Sequence, residues 1–97
     1  MDPIKHEFRK DGFFFRLVKM RRPFAIFAKK RPEHSRESFE VVRIINAPAR
    51  TYPSGKAIPE HECMPWSESW GTYGFTYPDR EGAEKRFTEM IEEEFAE

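Results

Sequence analysis

Residues 5–20 read KHEFRKDGFFFRLVKM. Asp11-Gly12 stands between two strand-like runs, and an Asp-Gly pair in that setting predicts a hairpin. A type I′ turn needs positive φ at both central residues, which Asp and Gly tolerate best. A two-residue turn fixes the register, so Lys10 opposes Phe13 and Phe8 opposes Phe15. His6, Phe8, Phe13, Phe15 and Leu17 then share one face. Glu7, Arg9, Phe14, Arg16, Val18 and Met20 share the other. The first is the better core face. Phe14 and Val18 leave the second partly apolar, as a face carrying a partner or a second layer would be. Residues 1–4, ahead of the hairpin, read as a frayed tail.

Beyond the hairpin, Arg21-Arg22-Pro23 reads as a turn, because proline removes a ladder donor. Residues 24–30 (FAIFAKK) predict a third strand, antiparallel after so short a connection. Residues 31–38 are polar and contain Pro32, which predicts a loop. Residues 39–46 (FEVVRIIN) predict a fourth strand. It is β-branched, with neither face fully polar, so it reads as central. Residues 47–65 hold four prolines (48, 53, 59 and 65) and read as a long irregular connection, with a short strand near 56–58.

Residues 66–77 read WSESWGTYGFTY. The second half of this stretch predicts a fifth strand over 72–77, with Tyr73, Phe75 and Tyr77 on one face and Thr72, Gly74 and Thr76 on the other. Asp79 is a good N-cap for a helix over 79–95. Ala83, Phe87, Met90, Ile91 and Phe95 fall within an arc of roughly 140°, the width of a core-facing stripe. Glu81 and Lys85 can pair across one turn. Glu92, Glu93, Glu94 and Glu97 oppose the helix dipole, so basic residues of the sheet are expected to offset them. The expected fold is α+β: an antiparallel β-meander of about five strands with one C-terminal helix on one face. One domain covers 1–97, divided into a basic meander (1–46), a Pro-rich loop (47–70) and a strand with an acidic helix (71–97).

Ninety-seven residues suit one domain, and ten Phe, two Trp and three Tyr suit a core built of rings. A mean hydropathy of −0.81 argues against a membrane span or a membrane partner. A polar start and a single cysteine, Cys63, favour the cytoplasm. The net charge of zero hides an asymmetry. Residues 1–50 carry 13 Lys/Arg and 6 Asp/Glu (+7), and residues 51–97 carry 4 and 11 (−7). The halves either face each other or leave separate basic and acidic surfaces. The first arrangement is preferred.

Chemistry finds little purchase. His61-Glu62-Cys63 is a single run of ligand types, whereas structural zinc takes two spaced pairs. Cys63 and His61, two apart in an extended segment, point to opposite sides. No Gly-rich phosphate loop is present. No enzyme, metal or cofactor is expected. Binding remains. Lys19, Arg21 and Arg22, and then Lys29, Lys30 and Arg31, mark the two ends of the third strand, with Phe13, Phe14, Phe24 and Phe27 interleaved. Such a sheet suits single-stranded nucleic acid. Trp66 and Trp70, with Tyr73 beside them, suit a protein partner. The acidic helix suits a basic groove. Pairing of two copies through an exposed fourth- or fifth-strand edge gives a homodimer.

The FEVVRI strand, the Gly-Lys-x-Ile-Pro turn at 55–59, the Pro-x-Ser-Glu-x-Trp-Gly-x-Tyr-Gly-Phe-Thr-Tyr stretch at 65–77 and Ala-Glu-Lys-Arg-Phe at 83–87 resemble small accessory proteins of bacteriophage genomes. The resemblance spans about half of the chain and leaves out the hairpin. It implies a protein that binds a host or phage protein in the host cytoplasm, inhibiting a machine such as a defence complex or RNA polymerase. A virion or structural role is the remaining alternative.

Overall fold

The computed structural model describes residues 3–65 and 74–96. Four strands open the chain: β1 (Glu7–Lys10), β2 (Phe13–Arg21), β3 (Phe24–Lys30) and β4 (Ser38–Arg43). Four short ones follow: β5 (Ile45–Ala47), β6 (Arg50–Thr51), β7 (Ala57–Ile58) and β8 (His61–Cys63). Strand β9 (Gly74–Tyr77) and helix α1 (Arg80–Phe95) close it. The main sheet is antiparallel in the order β1-β2-β3-β4-β9, so the fold is the expected α+β meander with one C-terminal helix. β4 is flanked on both sides. It is central, and an exposed fourth-strand edge does not exist; the sheet's described edges are β1 and β9.

The hairpin has the expected turn and register. Asp11 and Gly12 have φ of 53° and 82°, and Lys10 pairs with Phe13 and Phe8 with Phe15. One expectation on β2 fails. The register shifts between Leu17 and Lys19, so Met20 lies opposite Ala25 and joins the first face. A bulge inserts one residue and reverses the alternation after it. Val18, at the bulge, packs instead among the residues under the helix.

Both faces of the sheet carry a buried cluster, and the second stays open over β1 and the start of β2, where Glu7, Arg9, Phe14 and Arg16 are exposed. The first carries Phe15, Ala25, Phe27, Val42 and Ile44, closed over by Ile4 and Met64. The second carries Phe24, Ile26 and Val41, on which α1 sets Ala83, Phe87 and Met90. Phe75 and Tyr77 pack in that cluster, as their shared parity predicts. Burying each large apolar side chain stabilises by about 1.5–3 kcal/mol, so both clusters matter. β3 supplies alternate residues to each, which is why its first five residues are all buried. Residues 1–4 do not all fray: Ile4 is buried and its N–H donates to Glu62 Oε1 at 3.0 Å.

The strand expected over 39–46 breaks at Ile44, whose N–H donates to the Pro23 carbonyl at 2.6 Å. Beyond it, β5 leaves the main sheet and pairs with β8. Much of 47–65 is therefore ordered, not irregular. β6 and β7 form a second ribbon, turned at Gly55 with φ of 89°. Ala57–Ile58 is the short strand expected near 56–58.

Asp79 caps α1, its Oδ1 accepting from the Gly82 N–H at 2.8 Å. The expected Glu81–Lys85 pair does not form. Arg80–Glu84 and Arg86–Glu89 are the pairs along the helix, at 3.7 and 3.6 Å. Ile91 is partly buried, but Phe95 is 50% exposed and rests under the Arg21 guanidinium, 4.7 Å from the ring centroid. Arg43 grips Glu94 with two hydrogen bonds of 3.0 and 3.2 Å and holds its carboxyl below the usual range. This is the basic offset that the acidic last turn requires. Among the described residues no helix is long and apolar enough to cross a membrane.

Candidate functional site: the basic end of the sheet

Antiparallel order sends the Arg22–Pro23 turn to one end of the sheet. It gathers the Asp11-Gly12 turn, the 31–37 loop and Pro78 at the other. The two basic clusters of the sequence therefore lie at opposite ends, and the fold treats them differently.

The first cluster holds the protein together. Lys19 Nζ is 3.5 Å from Glu84 and 5.5 Å from the Phe87 ring centroid. Arg21 covers Phe95, and Arg22 donates to Glu62 on the β5–β8 ribbon. With Arg43–Glu94, three ion pairs join the basic and acidic halves. The preferred reading of the charge asymmetry thus holds at this end. Glu62 has a side chain only 15% exposed. The Arg22 hydrogen bond, with the Ile4 N–H bond adding to it, keeps its carboxyl below the usual carboxylate range against the upward push of burial.

A depressed carboxylate stabilises fully above its unfolded pKa, and that stabilisation is lost as pH falls through the lower folded value. Arg22→Ala removes the main cause. The variant should lose roughly 1 kcal/mol at pH 7. Its acid-unfolding midpoint, followed by circular dichroism below about pH 5, should move upward. An unchanged midpoint would show that Glu62 gains nothing from Arg22.

The second cluster is divided. Lys29, expected at a binding surface, turns inward: its Nζ lies 3.0 Å from Glu40 Oε1 and 4.2 Å from the Phe13 centroid. Glu40 is 1% exposed, and its Oε2 accepts from Thr76 Oγ1 at 2.7 Å. Lys30 and Arg31 remain outside this network. Arg31 covers Phe13 at 4.7 Å, and Arg9 covers Phe14, which is 39% exposed, at 4.2 Å. Arg9, Lys10 and Arg36 complete the group. Among the described residues none of these five cations forms an ion pair, while Glu7, Asp11 and Glu33 are the unpaired carboxylates nearby; Arg16 holds Glu37 at 3.2 Å.

Two open clefts flank this end. One, of about 410 Å³, has Phe13, Arg31, His34, Arg36 and Pro78 in its walls. The other, of about 500 Å³, has Phe14, Arg16 and Ser35. Lys30 borders both. The site can hold an anionic surface and stack a planar group on Phe14.

Of the residues expected to contact a partner, Lys30 and Arg31 meet here. Arg21, Arg22 and Lys29 are held by internal partners. Trp66, Trp70 and Tyr73 lie outside the described residues. Arg9, Lys10 and Arg36 were missed. The signal for them is meander parity, which returns the 31–37 loop to the hairpin turn. On the first face, burial pushes the Cys63 thiol up, with Lys10 opposing. Among the described residues no group of three or more His, Cys, Asp or Glu is placed to hold a metal ion. No family model, curated protein or solved structure matches the chain.

Proposed function

We propose that this is a small phage-type accessory protein that acts without catalysis, by binding an acidic surface of a host protein. The target is a machine such as a defence complex or RNA polymerase. One observation carries the reading: among the described residues five cations at the basic end have no ion pair, whereas those at the other end are engaged with the helix and the ribbon. Cations left without partners around exposed rings steer and hold an anionic partner.

A second reading is a single-stranded nucleic acid bound at the same end. It rests on Phe14, whose half-exposed ring already stacks with Arg9. Both sheet faces carry the protein's own clusters, so bases would stack only on the part of the second face left open around Phe14, at this end.

A salt series separates the two. For the protein partner, single strands fail to bind at about 150 mM salt. A host protein retained by the wild-type chain and by K56E, on the exposed β6–β7 turn, is then released by K30E/R31E/R36E. For nucleic acid, affinity falls steeply with salt, and each cation removed from that trio flattens the log–log slope by about 0.7. Retention of the host protein by the triple variant would sink the first reading.

A further inference from the structure

The outer edge of β1 is the sheet's open flank, and its backbone phase can be read from the hairpin. Phe8 pairs with Phe15 and Lys10 with Phe13. Leu17 N–H donates to the His6 carbonyl at 2.7 Å, so His6, Phe8 and Lys10 turn their backbone groups inward to β2. In an antiparallel ladder the alternate residues turn theirs outward. Glu7 and Arg9 therefore present their N–H and C=O groups along the edge, flanked by Lys5 before the strand and Asp11 in the turn. All four side chains are exposed. No described strand lies beyond them.

The charges on these four residues alternate as Lys5, Glu7, Arg9, Asp11. That alternation is self-complementary over all four residues in one antiparallel register. With Phe8 opposite the partner's Phe8, Glu7 meets the partner's Arg9, Arg9 meets the partner's Glu7, and Lys5 meets the partner's Asp11. The two Glu7–Arg9 pairs bring outward-facing backbone groups together, as a ladder requires, and the Lys5–Asp11 pairs outside β1 add side-chain charge alone. A slide by two residues destroys the match either way. Centred on Glu7, Glu7 meets itself and Lys5 meets the partner's Arg9. Centred on Arg9, Arg9 meets itself and Glu7 meets the partner's Asp11. Like charges directly opposite are unfavourable in a sheet, and opposite charges favourable. His6 opposite the partner's Lys10 is the one unassisted pair.

The apolar side of the edge fits the same register. Phe8 stacks on Phe15 at 5.0 Å between centroids and is partly buried. Beside it an open cleft of about 420 Å³ runs between β1 and β8, floored by Ile4, Phe8 and Met64. Two Phe8 rings brought together across a twofold axis would cover part of that floor.

We propose that two copies of this chain pair through β1, antiparallel and centred on Phe8, into one continuous ten-stranded sheet. The interface is isologous, so each charge pair occurs twice. The two basic ends then point in opposite directions, and each keeps Lys30, Arg31 and Arg36 for a partner. Arg9 passes from that group into the dimer contact, so the dimer and the partner site share it.

Sedimentation or light scattering over a concentration series reads the outcome. The wild-type chain should shift from monomer to dimer mass as concentration rises. E7R and R9E, each creating like-charge contacts twice, should weaken dimerisation by about tenfold or more. The double variant E7R/R9E restores the alternation in reverse at these two positions and should recover most of the loss. Circular dichroism checks that all three fold, and both sites are on the solvent side. A wild-type chain that stays monomeric throughout leaves the edge to a strand of another protein and overturns the proposal. A dimer that both single variants leave unchanged overturns it too, as does a double variant no better than its parents.

Discussion

Lys29→Met should destabilise the protein by roughly 3–5 kcal/mol, far more than loss of any cation on the surface. The cause is the partner left behind. Glu40 is 1% exposed in the central strand, and Lys29 supplies its only counter-charge among the described residues, at 3.0 Å. Thr76 donates one hydrogen bond at 2.7 Å, and a hydroxyl alone does not balance a buried carboxylate. The reverse change is gentler. Glu40→Gln keeps an acceptor for Thr76, and the freed ammonium is 24% exposed and lies over Phe13. K29M/E40Q should therefore be more stable than K29M. Urea unfolding at unchanged m-value measures all three. A K29M variant within about 1 kcal/mol of wild type would show that the carboxylate finds water. The result also guards the binding experiments, because lost binding in a Lys29 variant would report an altered fold.

How Lys29 came to look like a binding residue shows where sequence reading stops. The run AKKR shows three cations and no preference among them. Strand parity separates Lys29 from Lys30, but only the β3–β4 register puts Lys29 diagonal to Glu40. Lys29 pairs with Ser38 and Phe27 with Glu40, and that register depends on a loop too long for its one turn, at Arg31–His34, to fix it. The hairpin was legible because Asp11-Gly12 needs no tertiary help. The helix was legible because period, cap and apolar stripe agree. The bulge at Val18 was not. FFFRLVKMR has no glycine to mark it, and the place of Val18 among the residues under the helix is a tertiary contact that the strand pattern does not carry. The break at Ile44 was hidden inside a β-branched run: Ile44 still bonds to Pro23 in the register of β3 and β4, and the proline has no N–H to carry the ladder further. The charge asymmetry was visible as +7 against −7. Which cations it leaves unpaired follows only from how the chain folds back.

Phe27→Ala and Phe87→Ala should each cost roughly 3–5 kcal/mol, and each should shift one common unfolding transition. The two rings lie on opposite faces. Phe27 is fully buried among Phe15, Val42 and Ile44, meeting Phe8 edge-on at 5.4 Å. Phe87 is 2% exposed and is the largest side chain that α1 sets on the sheet. A cavity on either face removes contacts that the neighbours cannot remake by small shifts. The two losses are expected to share one transition because β3 backs both clusters. Its Ala25 and Phe27 face one way and its Phe24 and Ile26 the other, so neither cluster survives without the strand between them. Far-UV circular dichroism reads helix and sheet together, and amide NMR signals from β2 and from α1 give separate probes. For both variants the curves should coincide, with midpoints lowered by similar amounts. If Phe87→Ala instead melts the α1 signals first and leaves the β2 midpoint in place, the helix docks as an independent unit. The Arg43–Glu94 and Lys19–Glu84 contacts, and not the shared strand, would then be what holds the acidic half to the basic one.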